Sequence, residues 1–313
     1  MRQGMRCIGA RLAGTGLIGA MLAVTAGAAH AHDGDDPLVR PIEPEHSSRW
    51  LGPQEPARLF GNTYSVGFEG LSVALIDTGD GLILVDAAVP QAVPALKENI
   101  RKLGFRLEDV KLILTTEPHY DHAGGAAALE RDTGATVLAS EAAAALLAAG
   151  KIGADDPQKA WLPPYFPAVK SPRAVKDGEA IRLGGVTVTA LATPGHTAGS
   201  MSWTWESCEG ERCVNVVFAS SLNAVGPDEF RFSAPENRGL VAAYQRSFER
   251  MRTVPCDVLI TAHPDFRVGD ELIDPKACAA FADASARRLA KRMERELEEG
   301  QGNQQPNIGQ HSV

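Results

Sequence analysis

The stretch that most narrows the possible folds is residues 110–125, VKLILTTEPHYDHAGG. Its first part is a short apolar run rich in branched residues, which reads as a buried strand. The run breaks at once into a turn carrying Glu117, His119, Asp121 and His122. Side chains released together from one strand end can converge on a small volume, so the chemistry of this chain is expected at the C-terminal end of that strand.

The flanking sequence supplies the rest of a mixed α and β architecture. LSVALID and LILVD, separated by the turn TGDG, read as a hairpin. Leu96, Ile100 and Leu103 recur at helical spacing until Gly104 stops them. AGGAAALERDTG then predicts a helix, ATVLA a strand, and SEAAAALLAAG a second helix opening on a Ser cap. Residues 151–176 form a long loop with Trp161, Tyr165 and Phe166 among prolines, and loops of that length in a compact domain are usually functional covers. VTVTALA, MSWTW, VNVVFAS and CDVLITAH read as further strands. A helix with Leu240, Tyr244, Phe248 and Met251 on one face precedes the last of them, and Asp274-Pro275 opens a long final helix.

Of the eight histidines, His119, His122, His196 and His263 each follow a predicted strand and stand beside Gly, Pro or Asp. One such histidine is ordinarily a satisfied polar residue; four in the same setting point to ligands. Zinc accepts imidazole nitrogen and carboxylate oxygen, and a catalytic site leaves one position to water. With Glu117 and Asp121 the candidate ligands number six, which suits two metal ions.

The opening MRQGMRCIGARLAGTGLIGAMLAVTAGAAHA has the layout of a secretory signal covering residues 1–31: arginines, a short apolar core, then Ala-His-Ala. Residues 32–300 are expected to form one domain, whose first part to about 57 is a polar arm, and residues 301–313 a disordered tail. Removing 1–31 takes away three arginines and no acids, moving the formal charge from −8 to −11. A surface this acidic repels nucleic acid and anionic lipid. Four cysteines remain, and in an oxidising compartment they favour disulfides, Cys208 with Cys213 and Cys256 with Cys278. A four-thiolate zinc site is the competing reading, though no Cys-x-x-Cys pair supports it.

EPHYDH, TPGHTAGS and TAHPD, in that order and with LILVDAA ahead of them, resemble the signatures of the metallo-β-lactamase superfamily over roughly residues 48–290. ASSLNAVG, YQRSFERMRTVPCDVLITAHP and the cysteine pairs look like its third subclass. The resemblance implies an αββα sandwich in the α/β class, two mixed β-sheets flanked by helices, with Asp86 as an early structural Asp. It implies two zinc ions, the first held by Glu117, His119 and His196 and the second by Asp121, His122 and His263. Glu117 departs from the pattern, standing where the His-x-His-x-Asp-His motif has its first His. A carboxylate is a legitimate zinc ligand; its charge should lower the net charge of the first centre, weaken its pull on the substrate carbonyl and raise the pKa of bound water, and the first site is expected to be the weak one. The competing reading leaves the first site empty, with Glu117 merely hydrogen-bonded.

The activity implied is that of a periplasmic or secreted β-lactamase, probing no nucleic acid or membrane partner and acting as a monomer. A metal-activated hydroxide opens the β-lactam amide, Asp121 orients it and takes its proton, and Ser221 and Asn223 either hold the substrate or simply cap the strand end. Trp50, Tyr165 and Phe166 are candidates for an apolar wall over the ligand, beside the commoner reading of such aromatics as core packing. Two alternatives stand beside it: hydrolysis of a thioester or lactone on the same fold, and a secreted zinc-binding protein in which Glu117 marks lost catalysis.

Overall fold

A computed structural model describes residues 36–302. The expected signal segment and residues 303–313 lie outside the described residues. Seven strands form the first sheet in sequence order: β1 (Ala57–Phe60), β2 (Thr63–Ser65), β3 (Ala74–Asp77), β4 (Leu82–Val85), β5 (Val110–Leu114), β6 (Thr136–Ser140) and β7 (Arg173–Val175). β1 to β4 pair antiparallel and β4 to β7 parallel. The second sheet holds β8 (Ala180–Leu183), β9 (Val186–Ala192), β10 (Met201–Glu209), β11 (Arg212–Ala219) and β12 (Val258–Thr261), ordered β12-β11-β10-β9-β8, with only β11 and β12 parallel. Both sheets are therefore mixed, as expected.

Alternation along the strands decides which layer each residue joins. Ile76, Ile83, Val85 and Leu114 point between the sheets and meet Val188, Trp203, Val216 and Phe218 there. Their neighbours Leu75, Leu84 and Ile113 face the other way, against Leu96 and Ile100 of α2 (Val93–Lys102), Leu129 of α4 (Ala126–Thr133) and Leu147 of α5 (Glu141–Ala149). On the far side Val217 and Leu259 pack with Tyr244 and Phe248 of α6 (Arg238–Thr253) and Phe281 of α7 (Ala277–Gly302). These three apolar layers make the αββα sandwich; each fully buried Leu, Ile or Phe contributes about 1.5–3 kcal/mol. Short helices α1 (Pro44–Ser47) and α3 (Tyr120–Ala123) lie in the N-terminal arm and in the motif itself.

Both expected disulfides are present, Cys208–Cys213 across the β10–β11 turn and Cys256–Cys278 between β12's approach and α7. The second closes a 22-residue separation, a constraint on the unfolded chain of roughly 3 kcal/mol. Ser140 caps α5 by accepting the Ala143 N–H at 3.1 Å. β1, β2, β7 and β8 differ from the sequence expectation: β1 begins at the end of the polar arm, and β7 pairs with β6 inside the stretch 151–176 expected to be loop throughout.

Strand direction places the site. β4 and β5 run together in the first sheet, and β9, β11 and β12 run together in the second. Met201 N–H donates to Thr116 O across the two sheets at 2.8 Å. The loops leaving β4, β5, β9, β11 and β12 therefore meet at one edge of the sandwich.

Candidate metal centre

The six residues singled out in the sequence come together there in the two expected groups. Glu117, His119 and His196 each offer a ligand atom, as do Asp121, His122 and His263, and within each group these atoms lie within 4.8 Å of one another. His119, Asp121 and His122 hang from α3 and its N-terminal residue, so one helical turn feeds both groups. His196 arrives after β9 through Gly195, whose φ of 146° is open to glycine and whose missing side chain matters: a Cβ there would stand 2.7 Å from the Tyr244 ring. His263 follows β12 directly.

Each imidazole has its outward nitrogen engaged by an oxygen, which holds a proton there and turns the other nitrogen inward, where a cation would use it. His122 Nδ1 faces Asp86 Oδ2 at 3.2 Å, His263 Nδ1 the Gly70 carbonyl at 3.0 Å, and His196 Nδ1 the Asn223 carbonyl at 2.8 Å. His119 is turned the other way, its Nε2 on Asp156 Oδ2 at 2.7 Å, leaving Nδ1 inward. Asp86 is completely buried at φ 65°, and it also accepts the Thr116 N–H and hydroxyl, both at 2.7 Å. The early Asp is thus a brace between β4's end, β5's end and one ligand.

Inward, the second ring nitrogens converge on carboxylates and on each other. His122 Nε2 and His263 Nε2 are 3.1 Å apart, and Asp121 Oδ2 lies 3.4 and 3.3 Å from them. Glu117 Oε1 lies 3.2 Å from His122 Nε2, 3.4 Å from His196 Nε2 and 3.9 Å from His119 Nδ1. Protons on the rings relieve this crowding. Burial opposes a charge on His122, yet the carboxylates of Asp121, Glu117 and Asp86 outweigh it and push its pKa up to about 10. Burial likewise opposes ionisation of Asp121, and His122 and His263 overcome it, holding the carboxyl far below its ordinary value. Glu117 is lowered in the same manner, against burial, by His196, His122 and His119. Nitrogen and carboxylate donors so arranged match what zinc takes, and the donor set fits two such ions.

Glu117 has no exposed surface, and Ser221 grips it, N–H to Oε2 at 3.1 Å and hydroxyl to Oε1 at 2.9 Å. Asn223 turns its amide oxygen toward Arg288 Nη1 at 3.3 Å, which leaves its amide N–H groups to the cleft. Both residues line a cleft of about 830 Å³ over the ligands, with Trp50 and Trp161 on its walls. Tyr165 and Phe166 do not line it: Phe166 is buried in the core beneath the loop, and Tyr165 points to solvent. Sequence reading missed Asp156 and Gln158, both buried in the long loop, where Gln158 Nε2 lies 3.0 Å from His196 Nε2. The signal was present as a paired acid, Asp155-Asp156, beside a proline in a loop already marked as a cover.

A family model for the metallo-beta-lactamase superfamily matches residues 66–263. The chain belongs to that superfamily. Within it, solved subclass B3 enzymes are similar over about four fifths of the chain. A B3 metallo-beta-lactamase with an active-site glutamic acid is 54% identical, covering 84% of this chain and 99% of its own, with a TM-score of 0.81. The Rm3 metallo-beta-lactamase is 46% identical over 81% and 98%, TM-score 0.78. BJP-1, a subclass B3 metallo-beta-lactamase of Bradyrhizobium japonicum, is 35% identical over 80% and 97%, TM-score 0.70. Among curated proteins, a hydroxyacylglutathione hydrolase of Methylococcus capsulatus is 31% identical over 176 residues, 56% of this chain. The matched region spans 55% of that relative's length.

Proposed function

We propose that the protein is a secreted zinc-dependent β-lactamase of the B3 type, with Glu117, His119 and His196 holding one zinc and Asp121, His122 and His263 a second. The observation that carries this reading is the inward-facing set of four imidazoles and two carboxylates, in a chain 54% identical to a solved B3 enzyme with an active-site glutamic acid. Zinc bound there would lower the pKa of water and polarise a carbonyl oxygen. Asp121, held ionised at the cleft floor, is placed to orient the attacking water and accept its proton. The Ser221 hydroxyl donates to Glu117, whose carboxylate would be committed to the first zinc, and it has no imidazole partner to serve as the base of an acylating serine. Direct addition of water across the amide follows, without an acyl-enzyme.

Ser221 and Asn223 are the proposed substrate contacts. While the serine proton serves Glu117, the Asn223 amide N–H is the free donor for a substrate carboxylate. Glu117 brings a negative charge to the first position where the family motif has a neutral imidazole, which would make the first zinc the weaker Lewis acid, and both Ser221 donors compete with zinc for that carboxylate, so the first site is the weaker one. The two disulfides and the signal-like opening support a periplasmic or secreted location for a domain spanning 32–300. All six ligands come from one chain, so a monomer suffices.

Purified, zinc-loaded protein assayed on a carbapenem, an acyl-glutathione thioester and a simple lactone tests this. Carbapenem turnover that chelation abolishes supports the reading. Turnover of the thioester or lactone alone would replace it with the second activity suggested by the glutathione hydrolase likeness, and no turnover with zinc present would leave a binding protein.

A further inference from the structure

The loop between α5 and β7 does more than roof the cleft. Asp156 and Gln158, two residues apart, each touch a different histidine of the first ligand group. Asp156 Oδ2 takes the Nε2–H of His119 at 2.7 Å, with both side chains almost wholly buried, and its Oδ1 accepts the Gln158 N–H at 2.8 Å. That second bond fixes the turn, so the two side chains are set as one unit. Gln158 Nε2 then lies 3.0 Å from His196 Nε2. His196 gives its other ring proton to the Asn223 carbonyl, so Nε2 is a lone pair and the Gln158 amide is its donor. That lone pair is the one directed at Glu117, 3.4 Å away.

We propose that the Asp156–Gln158 turn sets the metal affinity of the first position through two opposed actions. Asp156 is a positioning residue that locks His119 with Nδ1 facing Glu117. Gln158 is a competitor that occupies the His196 lone pair and must release it before a cation can use it. The inference rests on the zinc reading above and deepens it: the weakness of the first position lies partly in Gln158 and not only in Glu117.

The test is zinc affinity measured directly, by competition with a chromophoric chelator, in full-length protein carrying His263→Ala so that only the first ligand group is intact. In that background Asp156→Ala is expected to weaken binding about 10- to 100-fold. Asp156→Asn keeps an oxygen acceptor for His119 Nε2–H and is expected to lose less. Gln158→Ala removes one hydrogen bond that zinc must displace and is expected to tighten binding about two- to tenfold. A loop with a merely structural role would give losses in all three. Unchanged affinity in Asp156→Ala, equal losses in the Ala and Asn variants, or unchanged or weaker binding in Gln158→Ala would overturn the proposal, the last by making Gln158 inert or itself a ligand. Where Asp156→Ala does not fold, a measurable loss in Asp156→Asn together with tightening in Gln158→Ala is required. If the His263→Ala parent binds no zinc, the first metal position itself fails and the proposal with it; a parent that binds zinc with unresponsive variants rejects the proposal alone.

Discussion

Replacing Asp86 by Asn separates the two jobs that its carboxylate performs. In the structure Oδ1 accepts the Thr116 N–H, while Oδ2 accepts both the Thr116 hydroxyl and the His122 Nδ1–H. Asparagine can keep its oxygen on the buried Thr116 N–H, and it tolerates the left-handed backbone at φ 65°. Its NH2 then falls where Oδ2 was. The Thr116 hydroxyl can turn to accept from it, but His122 Nδ1–H would meet a donor. In wild type the metal-free ring carries both protons; in the variant it can shed the Nδ1 proton, making Nδ1 an acceptor, and keep the one on Nε2, the atom that faces Asp121 and His263. Metal binding must then reverse that tautomer and break the new bond, a cost of about 1.4–2.7 kcal/mol, or 10- to 100-fold in affinity. Urea unfolding of the metal-free protein should change by no more than about 1 kcal/mol in this variant. Asp86→Ala should lose about 3 kcal/mol, from a buried N–H without a partner and from alanine forced to positive φ. Wild-type zinc affinity at the second position in Asp86→Asn would refute the claim that this hydrogen bond sets the His122 tautomer.

Further outcomes follow from the same geometry. Glu117→His should tighten the first zinc and alter turnover, checked by chelator competition; unchanged affinity would mean that Glu117 is no ligand. Because His122 in the metal-free site is protonated up to about pH 10, zinc must displace that proton, and apparent affinity at the second position should rise about tenfold per unit between roughly pH 7 and 9, with proton release visible calorimetrically. The sign for stability is opposite: in metal-free protein the His122 contribution is complete below its unfolded value near 6.5 and fades as pH rises through about 10, measurable as a falling urea midpoint. Gly195→Ala places a Cβ against the Tyr244 ring and should cost about 1–3 kcal/mol in urea unfolding while displacing His196, seen as weaker first-site zinc binding.

The parts of this fold that the sequence made legible are those in which one short segment carries its own signal. β3, β4, β5 and the amphipathic α6 have burial patterns written in their local periodicity. The ligands were legible because each sits at a strand's end beside a turn residue. β1, β2, β7 and β8 were not, being three or four residues long with largely exposed or half-exposed patterns and charged residues such as Arg58, Arg173 and Arg182. The groups that hold the ligands were hidden for another reason. Ser221 reaches Glu117 across 104 positions, and Asp156 reaches His119 across 37. Nothing in local pattern records such pairings; only the folded loops and strand ends bring them together. Phe166 illustrates the converse, an aromatic in a cleft-side loop that packing takes into the core.

A zinc-soaked crystal, read by anomalous scattering at the zinc edge, addresses the central claim most directly. Two peaks are expected in each chain, one among Glu117, His119 and His196 and one among Asp121, His122 and His263. A single ion, with Glu117 still turned wholly onto Ser221, or zinc bound only elsewhere on the acidic surface, would contradict it.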